Sequence, residues 1–333
     1  MPDPFVVRPR RPAAAGSRRL PPVPGIGALA PYLEDPRVTD LFVNGADGLF
    51  ADRGAGAEHD PSWRASEREV RDLATALIAA GGRHVDDGTP CVDVRLSGGI
   101  RVHAVLPPVA RRGTALSIRI PALGEATLDA LSAGGAFPDT VRAWLVRMVH
   151  ARENLLVTGA TGTGKTTLLG ALLSHAPERE RIVTIEDVAE LRIDHPHHVS
   201  LEARQANLEG AGGIGLARLV RESLRMRPDR IVVGECRGEE VRELLTALNT
   251  GHDGGAGTLH ASGLAEVPAR LEALGALAGM DDHAVARQVA SAIAWVLHLE
   301  RGPDGGRRLA SAGRFRVGGD GRLAIEEVRP WHA

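Results

Sequence analysis

The sequence predicts an α/β protein with two domains, the larger of which is a mostly parallel sheet with helices on both faces. Two patterns in the 333 residues support this prediction. From residue 150 onwards, apolar segments typical of strands alternate with helical segments, as they do in parallel sheets. Upstream of residue 120, segments of alternating apolar and polar residues follow one another around one clear helix, which indicates a separate, smaller α/β domain.

Residues 1–24 are expected to form a disordered tail. They are rich in proline and arginine and carry too little apolar surface to offset the entropy of ordering. The alternative, which the sequence leaves open, is an arm that docks on a partner or on acidic lipid. No apolar segment typical of a secretory signal follows the basic residues, and no run of about 18 apolar residues predicts a membrane span.

Residues 25–120 are expected to form the smaller domain. The segments "VTDLFVN" and "GLFADRG" predict two strands around a turn at 45–48. A helix begins at the capping box Ser66-Glu67-Arg68-Glu69 and has an apolar face formed by Val70, Leu73, Leu77 and Ile78. Further strands are predicted at "CVDVRL", "IRVHAVL" and "ALSIRI", and the Gly-, Ala- and Pro-rich residues 121–138 are expected to be a linker.

Residues 139–333 are expected to form the larger domain, beginning with a helix near 139–150. Its predicted strands are "NLLVTG", "RIVTIED", "RIVVGE", "AGTLH" and "AWVLHLE". Predicted helices lie near 165–174, 217–226, 239–249 and 284–293, between or beside these strands. The chain closes with "RRLASAGRFRV" and "RLAIEEV", which predict an antiparallel hairpin around 318–321.

Composition argues against two kinds of site. A net charge of −2 and an aromatic content of 3% indicate neither a nucleic-acid surface nor a platform for base stacking. The two cysteines, Cys91 and Cys236, lack the paired spacing of a zinc site, so no zinc is expected. Reduced thiols suit a cytoplasmic protein.

A phosphate loop is the strongest motif in the chain. Within "LLVTGATGTGKTTLLGALL", a predicted strand, a Gly-rich turn and a predicted helix follow one another and match G-x-x-x-x-G-K-T. Lys165 is the only lysine among the 40 lysines and arginines. A compact ammonium fits inside such a loop, whereas a planar guanidinium is too wide. The residues expected to bind nucleotide are Gly159, Ala160, Thr161, Gly162, Thr163, Gly164, Lys165, Thr166 and Thr167.

Acidic residues follow two of the predicted strands. "RIVTIED" ends in Glu186 and Asp187, and "RIVVGE" ends in Glu235. Because ligands collect at the carboxyl ends of parallel strands, one carboxylate is expected to hold the water shell of Mg²⁺ and another to orient the attacking water. Thr166 is expected to offer its hydroxyl to the same Mg²⁺. Asp187 can equally be a helix cap.

Histidines mark a second candidate feature. His252 and His260 flank a glycine-rich stretch, and His260 follows a short strand from which it can reach the γ-phosphate. A purely structural role for His260 remains equally open. The cluster "HPHH" at 195–198 suggests metal at first sight, but Pro196 and the lack of partner ligands favour a plain turn.

These motifs resemble, in order, those of the type II/type IV secretion-system traffic ATPases. The matching segments are "GATGTGKTT", "RIVTIEDVAELRI…HHVSLEAR", "RMRPDRIVVGECRG" and "NTGHDGGAGTLHAS". "RPDRIVVGE", "ALNTGHDG" and "LEAR" are most similar to the tight-adherence (Tad) pilus branch, which includes members associated with conjugal transfer. Upstream, "VTDLFVNG", "GGIRVHAVLPPVA" and "LSIRI" resemble the N-terminal domain of that branch.

The resemblance implies a hexameric ring of chains, each with a PAS-like N-terminal domain and a RecA-like P-loop NTPase domain. It implies ATP and Mg²⁺ as cofactors, Glu235 as the catalytic base and Glu186 as a member of the acidic box. It also implies that His260 faces the γ-phosphate and that Arg101 and Arg119 reach nucleotide at a domain or subunit boundary. Arg204 and Arg225 match basic positions of the family to which no partner is assigned.

Three departures from the family pattern stand out. The Pro/Arg tail takes the place of a helical region that often precedes the N-terminal domain, which puts the docking of partners in doubt. Cys236 stands where an aliphatic residue is usual, and the tetracysteine element of the type II branch is absent.

The resulting prediction is a cytoplasmic motor ATPase at the inner face of the cell membrane. It is expected to dock on an inner-membrane platform protein and to drive pilus assembly or protein secretion, without direct contact to nucleic acid. The alternatives are a DNA-translocating or conjugation ATPase and a nucleotide-binding regulatory scaffold without turnover. The cargo and the choice between extension and retraction stay open.

Overall fold

The computed structural model describes residues 25–54, 56–120, 126–204, 212–302 and 305–329. The chain divides into two compact units, with the division at Gly124 and Glu125. The predicted tail, residues 1–24, lies outside the described residues, so its order or disorder stays a prediction.

The first unit is a six-stranded antiparallel sheet in the order β3-β2-β1-β6-β5-β4. Its strands are β1 (Asp40–Asn44), β2 (Leu49–Asp52), β3 (Ala57–Asp60), β4 (Cys91–Arg95), β5 (Arg101–Val105) and β6 (Ala115–Arg119), and its helices are α1 (Ala30–Glu34) and α2 (Glu67–Ala80). All five predicted strands form. The sequence does not predict β3 because this edge strand lies almost wholly at the surface and has no apolar face.

Helix α2 begins at the predicted capping box. Ser66 Oγ accepts a hydrogen bond from the Glu69 backbone N at 3.3 Å, and Glu69 Oε2 accepts one from the Ser66 backbone N at 2.7 Å. Two orphan donors of the first turn are satisfied in this way. Of the predicted apolar face, Val70, Leu77 and Ile78 are fully buried, while Leu73 is partly buried against the same core.

The second unit contains an eight-stranded sheet in the order β14-β13-β12-β7-β11-β10-β8-β9. Its strands are β7 (Leu155–Gly159), β8 (Ile182–Glu186), β9 (His198–Glu202), β10 (Arg230–Val233), β11 (Ala256–His260), β12 (Trp295–Arg301), β13 (Arg307–Val317) and β14 (Leu323–Val328). The run from β12 to β9 is parallel, and β13 and β14 add the predicted antiparallel hairpin at one edge.

Helices cover both faces of this sheet, as predicted. They are α3 (Leu128–Ala133), α4 (Asp139–His150), α5 (Lys165–Leu173), α6 (Leu216–Ser223), α7 (Glu240–Leu248), α8 (Val267–Leu277) and α9 (Asp282–Ala292). Residues of α3, α4 and α5 share one buried cluster, and residues of α6 to α9 share another. Among the described residues, no helix combines the length and apolarity needed to cross a bilayer.

Three elements of this unit differ from the sequence-based expectation. Helix α3 lies inside the stretch 121–138 that was expected to be a linker, because Thr127 caps it and Leu128 is buried in the core. Helix α8 was not predicted. Its Pro268 is tolerated because it lies in the first turn, where its missing N–H is not needed. Strand β9 was also missed, because none of its residues is fully buried.

A buried ion cluster ties the amino-terminal side of the sheet together. Arg230 is 1% exposed, and its guanidinium donates to Glu180 at 2.5 Å and to the Val149 carbonyl at 2.8 Å. Arg152 donates to the other oxygen of Glu180 at 2.9 Å. Burial lowers the pKa of Arg230, and the bond to Glu180 opposes this effect. The arrangement keeps a buried cation paired, as its desolvation requires.

Candidate nucleotide-binding site

The phosphate loop lies between β7 and α5, as predicted. Strand β7 is fully buried and ends at Gly159, and α5 begins at Lys165. Gly159 has φ +148°, and a Cβ atom there would overlap the Leu299 carbonyl oxygen and lie 2.7 Å from Thr163 Oγ1. Only glycine therefore lets the loop pass this close to the neighbouring strand β12. The loop places backbone N–H groups at a helix N-terminus, which is the arrangement that favours phosphate.

Lys165 is buried beneath this loop. Its side chain donates from Nζ to the carbonyl oxygens of Gly159 at 3.0 Å and Ala160 at 2.9 Å. Burial lowers the pKa of Lys165, while the carboxylates of Glu235 and Glu190 act in the opposite direction. The ammonium is thus held inside the loop by the backbone of the loop itself.

His260 joins the phosphate loop to the acid of the neighbouring strand. At the end of β11, its Nδ1 lies 3.4 Å from Lys165 Nζ and 3.5 Å from Thr161 Oγ1, and its Nε2 lies 2.9 Å from Glu235 Oε1. Since Lys165 can only donate, Nδ1 is the acceptor and Nε2–H donates to Glu235. Burial, and then the cation of Lys165, lower the pKa of His260, against the opposing effect of Glu235. Both effects favour the neutral imidazole.

Arg237 occupies the other side of Glu235. It donates from Nη2 to Glu235 Oε2 at 2.9 Å, and its Nε lies 3.4 Å from Asp187 Oδ2. Its backbone N donates to the buried carboxylate of Glu240 at 2.6 Å, which fixes the turn between β10 and α7. Sequence reasoning did not single out Arg237, although it stands two residues after the acid within "GECRG". Asp187, which the sequence left unassigned, therefore belongs to the same group of charges.

Glu186 ends β8, one strand away from Glu235. Its Oε1 accepts from the backbone N of Glu190 at 2.8 Å and of Leu191 at 3.0 Å, and the side chain is 3% exposed. A Cβ atom on Gly234 would lie 2.5 Å from Glu186 Cγ, so the glycine makes room for the acid between the two strands. The structure thus places Glu186 next to Glu235, with one of its oxygens holding a turn of the backbone.

The oxygen donors here fit a nucleotide-bound Mg²⁺ better than an independent metal site. Thr166 is half-buried at the start of α5, Glu186 ends β8, and Glu235 follows the end of β10. Within the described ranges, no group of three or more His, Cys, Asp or Glu side chains is placed to hold a metal. Mg²⁺ commonly binds through one or two carboxylates, water and the phosphates of a substrate, and these donors fit that mode.

Arg101 and Arg119 belong to the first unit. They are directly opposite each other on β5 and β6, and both point to the outer face of that sheet, since their neighbours Val102 and Ile118 are buried. Arg119 forms an ion pair with Asp40 at 3.2 Å and its side chain is 51% exposed. Both arginines therefore lie on the outer face of their sheet.

The remaining candidate histidines and basic residues have local partners. His252 Nδ1 lies 3.2 Å from the Ala247 carbonyl at the end of α7. In the "HPHH" cluster, His195 Nε2 lies 3.1 Å from the Pro177 carbonyl and His198 Nε2 lies 2.9 Å from Thr184 Oγ1. Arg204 donates to the Gly212 carbonyl at 2.6 Å, and Arg225 donates to Glu222 at 3.2 Å. These side chains stabilise turns and helices.

Comparisons with known proteins show the family of the chain. Residues 25–310 match the family described as type II/IV secretion system protein. A Mycobacterium tuberculosis protein named for conjugal transfer is 49% identical over 315 residues, which is 93% of this chain and 89% of that protein. The type IV secretion system protein PtlH of Bordetella pertussis is 37% identical over 257 residues, covering 71% of this chain and 76% of PtlH.

A solved structure shares the fold. The X-ray structure of the Legionella pneumophila ATPase DotB superposes with a TM-score of 0.56 at 20% identity, over 90% of this chain and 78% of DotB. This likeness supports the predicted α/β fold. With its phosphate loop, its acidic strand ends and the match over residues 25–310, the chain is an ATPase that belongs to the type II/IV secretion system protein family.

Proposed function

We propose that this chain is a cytoplasmic motor ATPase that works as a homo-hexamer on an inner-membrane platform protein and couples ATP hydrolysis to pilus assembly or protein export. The observation that carries the proposal is a set of two side-chain contacts, from Lys165 to His260 and from His260 to Glu235. They connect the phosphate loop to the acid that follows β10. A protein that only binds nucleotide has no need for a carboxylate held in that position.

The proposed roles follow from what each side chain can donate or accept. The loop amides and Lys165 hold the phosphates. Thr166 binds Mg²⁺ directly, and Glu186 binds it through water. Mg²⁺ supplies charge neutralisation on the phosphates. Glu235 accepts the proton of the water that attacks the γ-phosphorus as the bond to the ADP oxygen breaks. Arg101 and Arg119 supply guanidinium charge to the γ-phosphate.

The resting contacts of Glu235 suggest how nucleotide controls the base. One of its oxygens is held by His260 and the other by Arg237. A γ-phosphate near Lys165 offers Lys165 a charged acceptor in place of two carbonyl oxygens, and it offers His260 an alternative to the carboxylate of Glu235. When His260 turns towards that phosphate, one oxygen of Glu235 becomes able to accept from water. The base is thereby engaged only when ATP is bound.

A second candidate is a DNA-translocating or conjugation ATPase, which is favoured by the name of the Mycobacterium tuberculosis relative. The net charge of −2 argues against it, because DNA binding relies on a surplus of cations that neutralise phosphate. Stimulation of turnover by DNA at moderate salt would support this candidate over the first.

Phosphate release by the purified protein with Mg²⁺ and ATP tests the proposal, with Lys165→Ala as the inactive control. Turnover that rises when membranes containing a pilus or secretion platform are added supports the motor role. If the protein binds ATP tightly but releases no phosphate at concentrations at which rings form, it is instead the regulatory scaffold.

A further inference from the structure

The hairpin of β12 and β13 brings two arginines to the phosphate loop. Arg301 and Arg307 are directly opposite each other at the end of this antiparallel pair. Two register steps before them, Leu299 is opposite Leu309, and the pair of Glu300 and Arg308 lies in between. Because side chains alternate between the two faces of a strand, both arginines lie on the same face as the two leucines.

That face is the one on which α5 packs. Leu299 and Leu309 are buried in the cluster that includes Leu168 and Leu172 of α5. The row of side chains continues past this core to Arg301 and Arg307, both of which are exposed. The cations therefore stand where the core ends and the phosphate loop begins.

Contacts with the loop confirm this position. A Cβ atom on Gly162 would lie 3.8 Å from Arg301 Nη2, and one on Gly164 would lie 3.4 Å from Arg307 Cδ. Each of these two loop residues thus has an arginine side chain directly against it. In such loops, the backbone N–H groups cradle the α- and β-phosphates while the lysine reaches the β- and γ-phosphates.

On the opposite face of the same hairpin, Arg308 lies 3.5 Å from Glu300. Arg301 and Arg307 are the pair of cations beside the loop.

We propose that Arg301 and Arg307 form one wall of the nucleotide site and bind the α- and β-phosphates of ATP and ADP. This inference rests on the proposed function, because it adds residues to the same nucleotide site. None of the four sequence motifs contains these arginines. Their role is to hold nucleotide in both the ATP and the ADP state, whereas Lys165 and Glu235 act on the γ-phosphate.

The test measures ADP affinity by calorimetry for Arg301→Gln and Arg307→Gln, with Arg308→Gln as the matched control on the other face. Charge-assisted hydrogen bonds predict a loss of about tenfold for each of the first two variants and no loss for the control. Arg301→Lys should keep most of the affinity, because it retains the positive charge. The affinity of the wild type should also fall more steeply with added KCl than that of Arg301→Gln, because the lost contact is ionic.

ADP affinity in Arg301→Gln and Arg307→Gln within twofold of the wild type overturns the inference, and so does an equal loss in Arg308→Gln. A wild-type chain that binds no ADP and releases no phosphate refutes the proposed function itself. If the wild type binds and hydrolyses normally while both arginine variants match it, only this inference fails. Thermal melts identify a variant that is destabilised. In that case, the ADP affinity of Arg301→Lys tests the inference.

Discussion

His260 Nε2 lies 2.9 Å from Glu235 Oε1, although the two residues end different strands of the sheet. His260 ends β11 and Glu235 follows β10, and these strands are adjacent and parallel. The other ring nitrogen of His260 faces Lys165, which begins α5 after β7, the strand on the far side of β11. Three neighbouring strand ends thus contribute a phosphate ligand, a histidine and an acid to one continuous set of contacts.

Replacing Lys165 by arginine should abolish phosphate release while leaving the fold intact. The side chain is 7% exposed, and its ammonium bonds to two carbonyl oxygens of the loop. A guanidinium keeps the charge but is too wide for this space. Phosphate release together with the circular dichroism melt measures the effect. Turnover near that of the wild type in Lys165→Arg would show that this loop is not the site of hydrolysis.

Replacing Glu235 by glutamine should give a protein that binds ATP but hydrolyses it about 10²–10⁴-fold more slowly, since it removes the general base. Glutamine can still contact His260 and Arg237, so ATP affinity should stay near that of the wild type. Single-turnover kinetics and ATP binding measure the two quantities separately. If Glu235→Gln keeps most of its turnover while Glu186→Gln loses it, the roles of these two acids are reversed.

Arg237 is expected to position Glu235 rather than to touch substrate. It holds one oxygen of Glu235 and approaches Asp187 on the neighbouring strand end. Arg237→Gln should lower kcat by about 10–100-fold, the size expected for losing a hydrogen bond to a charged group. Arg237→Lys, which keeps one cation near Glu235, should restore part of kcat. A rise in the KM for ATP with unchanged kcat would contradict the positioning role.

Much of this arrangement could be predicted from the sequence, because the parallel strands are short apolar runs and the functional residues follow them directly. Glu186 and His260 end such strands, and Glu235 and the loop that leads to Lys165 follow two others. The contact of Arg237 with Asp187 could not be predicted, since it depends on β8 lying beside β10 in the sheet.

The same reason applies to the hairpin arginines. Arg301 and Arg307 reach the loop only because β12 pairs with β7, and sequence order does not reveal this pairing. Strands β3 and β9 were missed for a different reason. Strand β3 has no apolar face, and β9 has only the short alternation of Val199 and Leu201, which are partly buried against the core.

His298 should make stability depend on pH. It is 1% exposed, lies 2.9 Å from Thr158 Oγ1 through Nδ1, and has its pKa lowered by burial. Glu300 and Glu266 oppose this lowering, and Lys165 adds to it. An unfolded histidine takes up a proton near pH 6.5, whereas folded His298 does so only at lower pH. Between these values the unfolded chain binds more protons, so the free energy of unfolding falls as pH falls below about 6.5.

Urea denaturation followed by tryptophan fluorescence at pH 7.5 and at pH 5.5 measures this effect. In His298→Asn, which can still bond to Thr158, the loss of stability between the two pH values should be smaller than in the wild type. The exposed His150→Asn serves as the control and should leave the difference unchanged. An equal pH dependence in the wild type and His298→Asn would contradict the prediction.

The last prediction concerns assembly and the arginines of the first unit. Arg119 is half-exposed on the outer face of its sheet and forms an ion pair with Asp40, which an incoming phosphate can replace. A guanidinium donated to a γ-phosphate contributes about 10³–10⁵ in rate. If a neighbouring subunit donates Arg119, then turnover per chain rises with protein concentration, and Arg119→Ala loses turnover far more than ATP affinity. Mixing inactive Lys165→Ala with inactive Arg119→Ala should then restore activity, because some interfaces in a mixed ring combine an intact loop with an intact arginine.

The matched control mixes Lys165→Ala with Glu235→Gln. Lys165 and Glu235 are connected through His260 within a single chain, so no mixed interface completes a site and no activity should return. No recovery in verified mixed rings of Lys165→Ala and Arg119→Ala would exclude donation of Arg119 between subunits, and recovery in the control mixture would show that the rescue does not depend on Arg119.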